Sequence, residues 1–217
     1  MTDLKERILA AAAAAPSPTR AGASRRSVLW IAGSAASMAA GYWAFALTFF
    51  GWQHIPRSLL LMAGTSIGAA VVAGSATAIA LGRGGTMLGR SRRWLIATTV
   101  LAPLLLLGWK LGWSALFGNL DESPHLGYRC LVMSVSMGAI PVLLLAMTRK
   151  GEDPRHPGLL GAAIGVAVGA CAWVLVDLWC PVAGIWHLLR GHVLPILVLG
   201  IVGAALGSTM LGVRPRR

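Results

Sequence analysis

Acidic residues are scarce in this chain. Seven Asp and Glu stand against nineteen Lys and Arg in 217 residues, and charged residues of both signs make up only 12%. A soluble globular domain carries about 25%, so a soluble fold is excluded, a soluble nucleic-acid-binding domain included. Cysteine is rarer still: Cys130, Cys171 and Cys180, with no CxxC pair. A disulfide-rich secreted module, a zinc ribbon and a thioredoxin-like motif are therefore excluded. The two halves show no sequence repeat, and no paired broken helices of the transporter kind are present. No nucleophile–base constellation is visible, so an enzyme, a membrane thiol–disulfide enzyme among them, is not expected. Nor does a run of polar residues line an intramembrane path.

What the chain has instead is apolar residues, 56% of the total, and 27 glycines. Six continuous apolar runs lie near 28–51, 58–81, 94–117, 126–147, 158–179 and 192–212. Each is about long enough to cross a ~30 Å hydrocarbon core as a helix. Continuous rather than alternating apolarity selects helices over a barrel. The expected fold is thus all-α, a polytopic bundle of six transmembrane helices. Arg25-Arg26 before the first run imitates a twin-arginine export signal, but reads as the positive flank of a first span because further long spans follow.

The net charge of +12 then becomes a compass. Fifteen of the nineteen basic residues fall in the N-terminal tail, the second and fourth connections and the C-terminal tail. Only Arg57, Lys110, Arg129 and Arg190 lie elsewhere. Positive charge marks the cytoplasmic side, so both termini are expected there. Contact with anionic lipid headgroups follows from the same charge. The expected division is a cytoplasmic tail over 1–26, a membrane domain over 27–213 and a basic tail over 214–217.

Glycines recur every fourth residue: Gly161, Gly165 and Gly169 in span five, Gly64 and Gly68 in span two, Gly203 and Gly207 in span six. Such faces let helices approach closely, either within the chain or, as the alternative, in a homo-oligomer. The stripe of span five continues through Trp173 to Asp177 at the same spacing, which turns that carboxylate into the bundle. Lys110 sits at similar depth in span three, and charges buried in a membrane are usually paired. A Lys110–Asp177 ion pair is expected, with a Lys110 that reaches to the headgroups as the alternative.

On the outer side of this topology, Cys130 opens span four and Cys180 follows span five, where a disulfide between them is possible in principle. His54, His125, His187 and His192 gather on that side too. Thiolate with imidazole suits zinc, copper and other soft or borderline ions. His125, His187 and His192 are the candidate metal ligands, although no standard ligand spacing is present. At the inner end, residues 3–15 read DLKERILAAAAAA. Asp3 can cap a short helix of good helix formers that places Leu4 and Ile8 on one face, with Leu9 beside them. Alone in water it is marginal. It can fold onto a partner groove or lie on the membrane.

The chain resembles the NrsF-like family, named for a negative regulator of sigma F. The resemblance rests on Leu178-Trp179-Cys180-Pro181, then His187, then Gly191-His192 and an apolar run that ends Gly203-Ala204-Ala205-Leu206-Gly207. Cys130 before an apolar span with Pro141 and a basic turn is a second match, and the Asp3-Leu4…Ile8 pattern a third. Two departures stand out: Trp179 where members often carry His, and Arg129 before the first cysteine. The resemblance implies a multi-pass anti-sigma factor of the bacterial inner membrane. Its N-terminal segment, Leu4, Ile8 and Leu9 included, would bind an extracytoplasmic-function sigma factor rather than nucleic acid. Cys130 and Cys180 would be its sensor positions, and a metal ion or oxidant its signal. The runner-up is a small inner-membrane metal or solute transporter.

Overall fold

A computed structural model describes residues 20–50, 59–82, 90–117, 127–150, 154–180 and 182–212, together with Glu6. All the described regular structure is helical. The helices are α1 (Arg20–Phe45), which runs on into a π-helical turn (Ala46–Phe50), α2 (Leu59–Leu81), α3 (Arg92–Leu116), α4 (Tyr128–Met147) and α5 (Pro157–Asp177). The last span, Ile185–Met210, is built from a short α6 (Ile185–Leu188), a π-helical turn (Leu189–Val193) and α7 (Leu194–Met210). Six of these helical segments are long and apolar enough to cross a membrane. The chain is a membrane protein of all-helical fold.

One helix organises the others. In α5, 72% of the most apolar stretch is buried, against 11% for the first span, so α5 is the centre and α1 the periphery. The reason lies in its residues. Gly161, Gly165 and Gly169 present bare backbone to the last span, where Gly203, Gly207 and Gly200 answer them. A Cβ at Gly161 would overlap the Gly203 carbonyl, and one at Gly165 the Leu199 carbonyl. The pairing of 161 with 203 and 207, and of 169 with 196, makes the two helices antiparallel. These glycine faces are thus filled within the chain. Span two differs from the expected backbone approach: Gly64 and Gly68 lie beneath the indoles of Trp113 and Trp109, and Trp109 Nε1 donates to the Gly64 carbonyl at 3.0 Å.

The same contacts order the ends of the bundle. Gly41 meets Met137 and Gly33 meets Leu144, which sets α1 antiparallel to α4. Gly138 meets Leu199 while Gly127 meets Gly191, which sets α4 parallel to the last span. One end of the bundle holds buried Arg149, whose guanidinium donates to the Ala80 carbonyl at 3.3 Å. A cation at the C-terminal turn of α2 offsets carbonyls that no longer have helical donors. The other end holds the start of α4, the end of α5 and the start of the last span.

The spans match the apolar runs within a few residues, with one exception. The last helix begins at Ile185 rather than near 192. The added turns carry the polar residues His187, Arg190 and His192. They are tolerated in the helix because both histidines turn inward, buried, while Arg190 stays exposed.

Candidate functional site

Four buried side chains converge at the end of the bundle away from Arg149: Cys130, Cys180, His187 and His192. Their donor atoms all lie within 4.8 Å of one another. Cys130 occupies the first turn of α4. That turn starts at Gly127, whose φ of 73° is left-handed, a conformation that costs glycine nothing. A Cβ on Gly127 would stand 3.0 Å from the Gly191 backbone and from the His187 carbonyl. A Cβ on Gly191 would meet the Cys130 Cβ at 3.2 Å. Two facing glycines therefore let α4 close onto the last span and carry Cys130 with it.

Cys180 sits just past α5, its N–H bonded to the Val176 carbonyl at 2.9 Å. Its Sγ lies 2.9 Å from His187 Nε2, and Cys130 Sγ lies 3.7 Å from the same nitrogen. All three cysteines are free thiols. The Cys130 thiol, and after it His187, holds the Cys180 thiol well below its usual range against the opposing effect of burial.

His187 and His192 are five residues apart, which on a regular α-helix would place them about 140° apart. The π-helical turn Leu189–Val193 widens the helix there. With i→i+5 closure, five residues make close to one turn, and the two imidazoles come to 5.6 Å between centroids. His192 rests on Trp173 at 5.0 Å, and both its ring nitrogens lack a hydrogen-bond partner. A buried imidazole with two unsatisfied nitrogens is costly, and a ligand would satisfy one of them.

The intramembrane charges lie beside this cluster. Lys110 Nζ stands 2.6 Å from Asp177 Oδ1, and both side chains are at most 5% exposed. The stripe Gly161, Gly165, Gly169, Trp173 and Asp177 is buried throughout. His125, proposed as a ligand, lies outside the described residues, as do Leu4, Ile8 and Leu9. The metal-ligand set inferred from sequence held three histidines. Of these the structure brings His187 and His192 together, joined by both cysteines, and leaves Cys171 apart, 3.7 Å from the Thr77 hydroxyl. Sequence reasoning passed over Tyr42, Gly127 and the partner of Trp179. The Trp179 indole N–H donates to the Tyr42 hydroxyl, and the rings lie 6.0 Å apart at 53°.

Two sulfurs and two imidazole nitrogens in so small a space form the donor set that soft and borderline cations prefer. A tetrahedral ion bonds sulfur at about 2.3 Å and nitrogen at about 2.0–2.1 Å, so around it the most distant donors, up to 4.8 Å apart, draw in while the 2.9 Å Cys180–His187 pair opens.

Fold and site thus define a six-span helical membrane protein with a buried thiol–imidazole cluster at one end. The family described as negative regulator of sigma F (NrsF) matches residues 9–212, most of the chain, and the protein belongs to it. It is accordingly an anti-sigma factor, a regulator whose partner is a sigma factor. No curated protein and no solved structure matches the chain.

Proposed function

We propose that this anti-sigma factor sits in the bacterial inner membrane with both termini in the cytoplasm. There it holds an extracytoplasmic-function sigma factor through residues 1–26 and releases it when the thiol–imidazole cluster binds a soft or borderline metal ion. The observation that carries the sensing half is the convergence of Cys130, Cys180, His187 and His192 within 4.8 Å. The orientation is supported by the fifteen basic residues that collect on one side of the six spans. Anionic headgroups meet those basic segments. Oxidation of the two cysteines is the second signal that this donor set admits, since their sulfurs share the cluster.

Release demands that the ion favour a state with weaker grip on the sigma factor, because a ligand shifts an equilibrium only by its differential affinity. About 3 kcal/mol of difference gives roughly a hundredfold loss of sigma affinity. A small metal or solute transporter would explain the cluster equally well, but the family assignment favours the regulator.

The test is retention of the sigma factor. Full-length protein in membranes should co-purify with a sigma factor from the same cell, and deletion of residues 1–15 should abolish that association while the six-span domain still inserts. Undiminished binding by the deleted form would remove the tail from the account.

A further inference from the structure

The cluster and the sigma-binding tail stand at opposite ends of the first span under this reading, so something must join them. The first span is the most weakly embedded helix of the bundle. Along α4 it runs with Gly41 against Met137 and Gly33 against Leu144. Near its far end, Tyr42 and Phe45 pack against an apolar group that holds both sensor cysteines, with Met133, Met137 and Val176. There Tyr42 also accepts the hydrogen bond of the Trp179 indole. Trp179 is the chain neighbour of Cys180, and both backbone N–H groups bond to the same Val176 carbonyl, at 3.0 and 2.9 Å. The two residues therefore belong to one tight turn, and movement of one is felt by the other.

Ion geometry requires Cys180 and His187 to part. In this structure the Cys180 sulfur and His187 Nε2 are 2.9 Å apart. On one tetrahedral ion, with metal–ligand lengths near 2.3 and 2.0 Å, they would stand about 3.5 Å apart. An ion seated between them acts as a wedge. His187 lies in the last span, held against α4 where Gly127 meets Gly191 and the His187 carbonyl, whereas Cys180 lies in a turn between two spans.

We propose that the Tyr42–Trp179 contact is the coupling through which an ion at the cluster acts on the first span, and hence on the N-terminal segment that it carries. Tyr42 and Trp179 are positioning residues here: neither supplies a donor to the cluster. The proposal rests on the metal-sensing reading above. It adds the route, which that reading leaves open.

The test uses the full-length protein in lipid nanodiscs, with Cd²⁺ as the probe because its ligation by thiolate is visible by absorption. Spin labels at Leu29 on α1 and Leu143 on α4, both exposed, report the separation of the two helices. In the otherwise wild-type protein, Cd²⁺ should bind and change that distance. Tyr42→Phe removes the acceptor and Trp179→Phe the donor, and each keeps an aromatic ring in place. Both variants should bind Cd²⁺ within about twofold of wild type, yet lose the distance change and release bound sigma factor at least tenfold less. The double variant should be no worse than either single, as expected of two ends of one contact. A full distance change in both single variants would overturn the coupling. Failure of the parent protein to bind Cd²⁺ would instead overturn the sensing reading and the coupling with it. A distance change with no effect on sigma retention would keep the coupling and refute the release step.

Discussion

At the scale of single residues, the chain places its few polar groups where they cost most. Lys110 and Asp177 are nearly free of solvent at 2.6 Å, in a bundle whose surroundings are lipid and apolar side chains. The pair contributes little net stability, because desolvation offsets attraction, but either partner alone is expensive. Lys110→Met should therefore destabilise the bundle by about 3–5 kcal/mol, and Lys110→Met with Asp177→Leu should recover most of it. Thermal unfolding of the variants in detergent checks this. Equal loss in the single and double variants would mean that the pair matters for something other than charge balance. The sequence offered this pair as one of two readings, since Asp177 extends a glycine stripe at four-residue spacing, but left open a Lys110 that reaches to the headgroups; the 2.6 Å contact selects the pair. The joining of His187 and His192 was not legible, because five-residue spacing lies on two faces of an ordinary helix and only the wider π turn brings them together. Gly127 was equally silent: a left-handed glycine that meets another glycine across the bundle carries no local signature.

At the scale of helices, the six spans could be read almost to their ends, since continuous apolar runs near twenty residues have one stable form in a bilayer. The last span was the exception, as its polar start is apolar only in the sense that its histidines face a buried cluster. Packing between spans was half legible. The α5 and α7 glycines pair with each other, backbone to backbone, whereas Gly64 and Gly68 shelter indoles; glycine spacing alone does not say which partner fills the groove. The difference is testable. Gly203→Val puts branched carbons into the Gly161 carbonyl and should force the central helices apart, with loss of folded protein in detergent. Gly74→Ala meets nothing within 4 Å and should leave the melting temperature within a degree or two. Similar behaviour of the two variants would contradict the described crossing.

At the scale of the whole molecule, the protein connects two ends. Arg149 and the basic segments mark one, the thiol–imidazole cluster the other, and α5 runs between them as a rigid centre. The first span, the least buried of the six and joined to the cluster end through Tyr42 and Trp179, is the element that the proposed coupling would move against that centre. Charge and cysteine placement pointed to the two ends in the sequence, but the contact on which the proposed line between them rests joins residues 137 positions apart, Tyr42 and Trp179, and has no local signature. The most direct measurement of the account is cation-driven release. Full-length protein in vesicles, loaded with its sigma factor, is exposed to Cd²⁺ from the cluster side, and the sigma factor set free is quantified. The account predicts release from the wild-type protein and none from the Cys130→Ser/Cys180→Ser variant at the same Cd²⁺ concentration. Equal release from both would contradict it.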